Sequence, residues 1–272
     1  MNRTARIKAR PKLTDPLLLA AWPGVGNISS IVAGYLHEKL PFKKLGELIA
    51  PLFFEPIGVL ARDNVVDVPQ FPASRFYYYK GKGQERDLIL FIGDDQPSTD
   101  TYSLAEAVLA VATRFQVRRV ITCAAALTRI HFTEPPRVWG VATSRELADE
   151  LAAMGLENRS TIQIAGLNGL LLGVAKEHGL EGICLLGEVP AHASRIDNPA
   201  AALAVLEVLL RLLNLSLDTS DLAEAVREYR QQMREATAIA MGEYIEHFTQ
   251  PIWQQGDNGE EEDEEDDEDE YN

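Results

Sequence analysis

The residues of this 272-residue chain with chemistry to offer are few: five histidines, two cysteines and a small set of carboxylates beside glycines. His37, His131, His178, His192 and His247 are scattered, and none stands in an H-x-x-E-H or H-E-x-x-H spacing, so no metal site is expected. Ser29 and Ser194 lack the G-x-S-x-G elbow of a hydrolytic serine. Cys123 and Cys184 sit inside the apolar runs VITCAAAL and GICLLG, the setting of buried reduced thiols rather than of a disulfide framework or a nucleophile. What remains are carboxylates at the ends of strand-like runs: Asp94 and Asp95, followed by Gln96, and Glu188. Like charges confined to one opening push their pKa values apart and can bind a metal or act as acid and base. The first reading of Asp94 and Asp95 is nevertheless as turn and helix-capping residues before Ser98–Thr101.

A second feature is the stretch 17-LLLAAWPGVGNISS-30, where an apolar run stops at Trp22-Pro23 and two glycines precede a helical pattern. As a dinucleotide fingerprint it carries Gly24 and Gly26 but Ser29 where a third glycine would allow close helix packing; as a phosphate loop it lacks the Gly-Lys-Ser/Thr ending. Glu47 lies about twenty positions on, but at the start of a strand pattern rather than at its end. No cofactor is expected. A glycine turn at the carboxyl end of a parallel strand still faces the crevice where α/β ligands bind. Trp22, Pro23, Gly24, Gly26 and Asn27 are therefore grouped as a candidate crevice with Asp94, Asp95, Gln96, Asn168 and Glu188. Gly166, Gly169 and Gly173, around Asn168, read first as close helix packing.

The elements that must position these residues alternate. Strand-like runs are predicted at Leu17–Ala21, Leu48–Phe54, Val65–Val68, Arg75–Lys80, Leu88–Gly93, Arg119–Ala124 and Gly182–Glu188. Helices are predicted over Ser29–Lys39, Thr101–Phe115, Ser144–Ala153, Asn168–Glu177, Pro199–Leu213 and Asp221–Phe248. Near-continuous apolar strands followed by amphipathic helices define an α/β chain with a mainly parallel sheet buried on both faces. The stretch FYYYKGKGQERDLILFIG differs, reading as two antiparallel strands around a Gly-Lys-Gly turn. The organisation expected is a basic extension over 1–15, an α/β core over 16–217, a helical segment over 218–250 and a mobile acidic tail over 251–272. In the helical segment Leu222, Val226, Tyr229, Met233, Ala236 and Ala240 form one stripe, able to pack on the body or to meet a second subunit.

Charge narrows the partners. The formal charge is −15, but residues 257–272 hold twelve Asp and Glu and no Lys or Arg, leaving −3 on the rest. Such a tail cannot bury enough apolar surface to offset its ordering entropy. The basic pairs Lys43-Lys44 and Arg118-Arg119 are isolated, so no nucleic-acid stripe forms. The most apolar segment, 200-AAALAVLEVLLRLLNL-215, is interrupted by Glu207 and Arg211, and the apolar run after Asp15-Pro16 is too short for a secretory signal. A cytoplasmic protein without a membrane span is expected.

Four pieces in order carry a family resemblance: Trp22-Pro23-Gly24-Val25-Gly26-Asn27 after a strand; Gly93-Asp94-Asp95-Gln96-Pro97 before a helix; Gly166-Leu167-Asn168-Gly169 with Leu170 to Gly173; and Leu185-Leu186-Gly187-Glu188-Val189-Pro190 followed by Asp197. Together, over roughly residues 16–235, they resemble the proteasome assembly chaperone 2 family in its bacterial and archaeal branch. The resemblance implies a three-layer α/β/α domain similar to the nucleoside-phosphorylase-like fold, built as a homo-oligomer that assists assembly of ring-shaped proteasome α subunits. In family members that engage such rings, a hydrophobic residue, a Tyr and any last residue enter pockets between ring subunits. Here Tyr271 and Asn272 match that pattern, as partner-binding residues, while Glu270 replaces the hydrophobic one. The leading functional expectation is a non-catalytic, homo-oligomeric protein-binding scaffold. The alternative is a nucleoside or nucleotide binder, or a hydrolase- or phosphorylase-like enzyme, using the crevice.

Overall fold

Strand β2 (Leu17–Ala21) shows why the centre of the molecule is a sheet covered on both sides. Leu17, Leu19 and Ala21 pack among one set of buried side chains, and Leu18, Ala20 and Trp22 among another on the opposite face. That period of two is the pleat, and both faces are dry. A computed structural model describes residues 4–56, 58–156 and 161–249. The mobile tail expected over 251–272, with Tyr271 and Asn272, lies outside the described residues.

In chain order the elements are β1 (Ala5–Ile7), β2, α1 (Ile28–Lys39), β3 (Lys43–Leu48), β4 (Ala61–Arg62), β5 (Val65–Val66), β6 (Ser74–Tyr79), β7 (Leu88–Gly93), α2 (Thr101–Arg114), β8 (Arg119–Thr128), β9 (Val138–Ala142), α3 (Arg145–Ala153), α4 (Leu167–Glu177), β10 (Glu181–Pro190), α5 (Pro199–Leu213) and α6 (Ser220–Thr249). One sheet has the order β1-β3-β6-β7-β2-β8-β10-β9; β4 and β5 form a separate hairpin. The central strands β7, β2, β8 and β10 are parallel, with Leu17 level with Leu88 and Arg119, and Cys123 with Leu185. Antiparallel strands extend this core at both edges. Helices α1 and α5 cover one face of the sheet, and α2 and α4 the other, which is the mixed α/β architecture with a mainly parallel central sheet that the apolar runs predict. The chain divides into two compact units, one ending at Tyr229 and the other beginning at Arg230.

All six predicted helices form within two residues of their predicted ends. The strand predicted over Leu48–Phe54 is displaced: the ladder runs over Lys43–Leu48 and a 3-10 turn follows at Ala50–Leu52. Pro51 near the start of that turn has no N–H to give a strand ladder. The run Val65–Val68 forms a strand only at Val65–Val66. Neither β1 nor β9 is evident from pattern alone, because each is a short edge strand recruited by its neighbour.

Candidate functional site

The glycine turn after β2 is built by two consecutive left-handed residues. Gly26 has φ 62° and Asn27 φ 48°, after which α1 begins at Ile28. A Cβ on Gly26 would also lie 3.3 Å from Asn198 Cβ, so both backbone angle and space ask for glycine. The turn is then tied to the loop after β10: Gly26 N–H donates to Ser194 O at 3.1 Å, Asn198 N–H donates to Gly26 O at 2.9 Å, and Asn27 Nδ2 donates to Asp197 Oδ1 at 2.6 Å. Asn198 also caps α5, accepting from Ala201 N at 2.9 Å, with Pro199 in the first helical turn. Just before the turn, Trp22 is fully buried against Phe91, ring centroids 4.9 Å apart. Gly93 makes room for it, since a Cβ there would fall 2.5 Å from Trp22 Cδ1.

Gln96 joins a second pair of loops. Its Nε2 donates to Pro23 O at 2.6 Å, and its Oε1 accepts from Leu167 N at 2.8 Å, satisfying one open donor at the start of α4. Asn168, nearly fully buried, donates through Nδ2 to Trp22 O at 3.5 Å and accepts from Ser29 Oγ at 3.4 Å. Gly24, Ser29, Gln96 and Asn168 border a hollow of about 260 Å³ with the carboxyl end of β8, Cys123 to Leu127. Burial pushes the Cys123 thiol well above its ordinary range, which disfavours the thiolate form.

The structure therefore brings Trp22, Pro23, Gly24, Gln96 and Asn168 together, and links Gly26 and Asn27 to the loop after β10. It does not bring the carboxylates together. Asp94 accepts from Ala73 N at 3.1 Å and from Arg75 Nη1 at 3.4 Å, beside β6. Asp95 accepts from Gln96 N at 2.7 Å and borders a different hollow, with Phe53 and Phe54. Glu188, 1% exposed, accepts from Arg137 N, Nε and Nη2, each at 3.1 Å, and borders a third hollow with Thr128 to Ile130. An acid–base cluster of these carboxylates, the alternative to their reading as turn and capping residues, would have to bridge β7 and β10, which are three strands apart, about 14 Å at the usual spacing. Among the described residues no group of three His, Cys, Asp or Glu is placed to hold a metal ion. Asn198 and Arg137 are the residues that sequence reasoning misses. The Asn-Pro pair at a helix start was a legible capping signal for the first, whereas nothing local announces that Arg137 serves Glu188, 51 positions away.

The PAC2 family model matches residues 18–237, and the chain belongs to that family. Among solved structures it is similar to Pyrococcus furiosus PbaB, an archaeal proteasome activator, at 31% identity over 87% of this chain and 100% of that one, with a TM-score of 0.74. It is also similar to PbaA of the same organism, an archaeal homolog of proteasome-assembly chaperone, at 27% identity over 86% and 99% of the two chains, TM-score 0.64. An uncharacterized Methanocaldococcus jannaschii protein is 28% identical over 231 residues, 84% of this chain and 85% of that protein. No helix among the described residues is long and apolar enough to cross a membrane.

Proposed function

We propose that this protein is a proteasome-assembly-chaperone-like scaffold: a non-catalytic homo-oligomer in the cytoplasm that presents its surface, and the Tyr271-Asn272 end of its acidic tail, to ring-forming protein subunits. The observation that carries this reading is the likeness to PbaB and PbaA along nearly their whole lengths. The site geometry agrees with it. Several polar groups of the strand-end motifs are spent on protein partners, Gln96 on Pro23 and Leu167, Asn27 on Asp197 and Glu188 on Arg137, which suits a rigid frame more than a reaction centre. On this reading Trp22, Pro23, Gly24, Gly26, Asn27, Gln96 and Asn168 hold the frame, and Asp94 and Asp95 order its edge. On this proposal a tail of about twenty residues would let Tyr271, next to the last residue, reach a pocket at high effective concentration.

The test is recovery of partners from the native cell extract by the full chain and by a chain lacking residues 257–272. Proteasome subunits captured by the first and lost by the second support the proposal; no specific partner for either overturns it. Thermal-shift measurements with nucleosides, nucleotides and divalent metals give the competing outcome, since stabilisation at millimolar ligand would make the 260 Å³ hollow a binding site.

A further inference from the structure

The hairpin β4–β5 carries exposed apolar side chains on an open edge. Its turn is Asp63-Asn64, with φ 49° and 61°, the two left-handed residues of a two-residue type I′ loop. Arg62 pairs with Val65 and Ala61 with Val66, and Asp67 N–H donates to Leu60 O at 2.8 Å. One face is then Val59, Ala61, Val66 and Val68, without a charge; the other is Leu60, Arg62, Val65 and Asp67, with Arg62 Nε 3.5 Å from Asp67 Oδ2. Val65, Val66 and Val68 are 68, 64 and 75% exposed. A two-stranded hairpin is marginal in water, and an apolar strand edge is a template for a further strand.

Resting on the homo-oligomer reading above, we propose that the β5 edge pairs antiparallel with the same edge of a second copy, about a two-fold axis at Val66, making a four-stranded sheet across the two chains. On this edge, which carries the exposed Val65, Val66 and Val68, hydrogen-bond parity picks out Val66. Val65 and Asp67 direct their backbone groups to β4, so Val66 directs its N–H and C=O outward, and two facing Val66 residues exchange two hydrogen bonds. Charge selects the register. An axis at Asp67 sets Asp67 against its own copy, and an axis at Val65 sets Asp67 against Asp63 of the other chain; both oppose like charges directly. The axis at Val66 sets Asp67 against Val65 and Val68 against Asn64, with no like-charged pair. It also joins the two uncharged faces into one, as an isologous contact requires.

The experiment uses the full chain and reads mass by light scattering at micromolar concentration, with thermal melts confirming that each variant is folded. Val66→Asp and Val66→Lys, at an exposed position, are each expected to halve the mass of the oligomer or raise its dissociation constant about tenfold or more. Mixing the two variants is expected to restore the mass. Under oxidation Val66→Cys is expected to form an interchain disulfide, with facing Cα atoms about 5.5 Å apart, and Val68→Cys is not. A wild-type oligomer whose mass Val66→Asp leaves unchanged overturns this interface while leaving the oligomer reading intact. A monomeric wild type overturns both. An unchanged mass with loss of a captured protein assigns the edge to another partner and overturns the pairing of copies.

Discussion

Asn27 and Asp197 stand 170 positions apart in the chain and are joined by a 2.6 Å hydrogen bond from Nδ2 to Oδ1. The bond closes the turn after β2 onto the loop that leads into α5, and the backbone pairs of Gly26 with Ser194 and Asn198 flank it. Loops that would otherwise be independent thereby become one frame at the carboxyl ends of the parallel strands.

That frame depends on the left-handed backbone at Gly26. Gly26→Ala places a Cβ in a disfavoured conformation and against Asn198, with an expected loss of about 1–2 kcal/mol. For a domain of this size the melting temperature should fall by about 2–8 °C, measured by calorimetry.

Glu188 is buried and Arg137 is the exposed partner, so the two ends of the pair are unequal. Arg137→Met should cost about 3 kcal/mol, because it leaves a buried carboxylate without its cation. Glu188→Gln should cost about 1 kcal/mol, and the double variant should recover most of the loss, an expected coupling that a denaturant-melt cycle measures directly.

The start of α6 is latched to α1. Lys39 and the Tyr35 hydroxyl both donate to the Asp221 carboxylate, and these hydrogen bonds, Lys39 first, hold its pKa down at about 2 from an ordinary 3.8. A depressed carboxylate stabilises the fold above its unfolded pKa and loses that contribution as pH falls through the folded value. Asp221→Asn should therefore melt below wild type at pH 7, and the gap should close between about pH 4 and pH 2, followed by circular dichroism.

Cys123 and Cys184 should behave as inert thiols. In the sheet register Cys184 is level with Thr122 and Cys123 with Leu185, so the two sulfurs lie on opposite faces and cannot pair. Burial pushes Cys184 up to about 12 and Cys123 higher still. A chromogenic disulfide reagent should titrate two thiols per chain in denaturant and react at least about tenfold more slowly with the native protein.

The sequence by itself determined the covered sheet and the helices that sandwich it. Leu17 to Ala21 are apolar at every position and end after five residues at Trp22-Pro23, the pattern of a short strand dry on both faces, and helices such as Pro199–Leu213 declare themselves by period and caps. It also displayed each of the four loop motifs, because glycine, proline and asparagine have local conformational preferences that need no tertiary partner. The tertiary structure alone decided which strand ends are neighbours, and so separated Asp94 and Asp95 from Glu188 while bringing Gln96 to Pro23 and Leu167. The reason is physical: periodicity and turn chemistry are properties of a few adjacent residues, whereas strand order and the choice of Arg137 for Glu188 are settled by which buried charges and backbone groups find partners once distant segments pack.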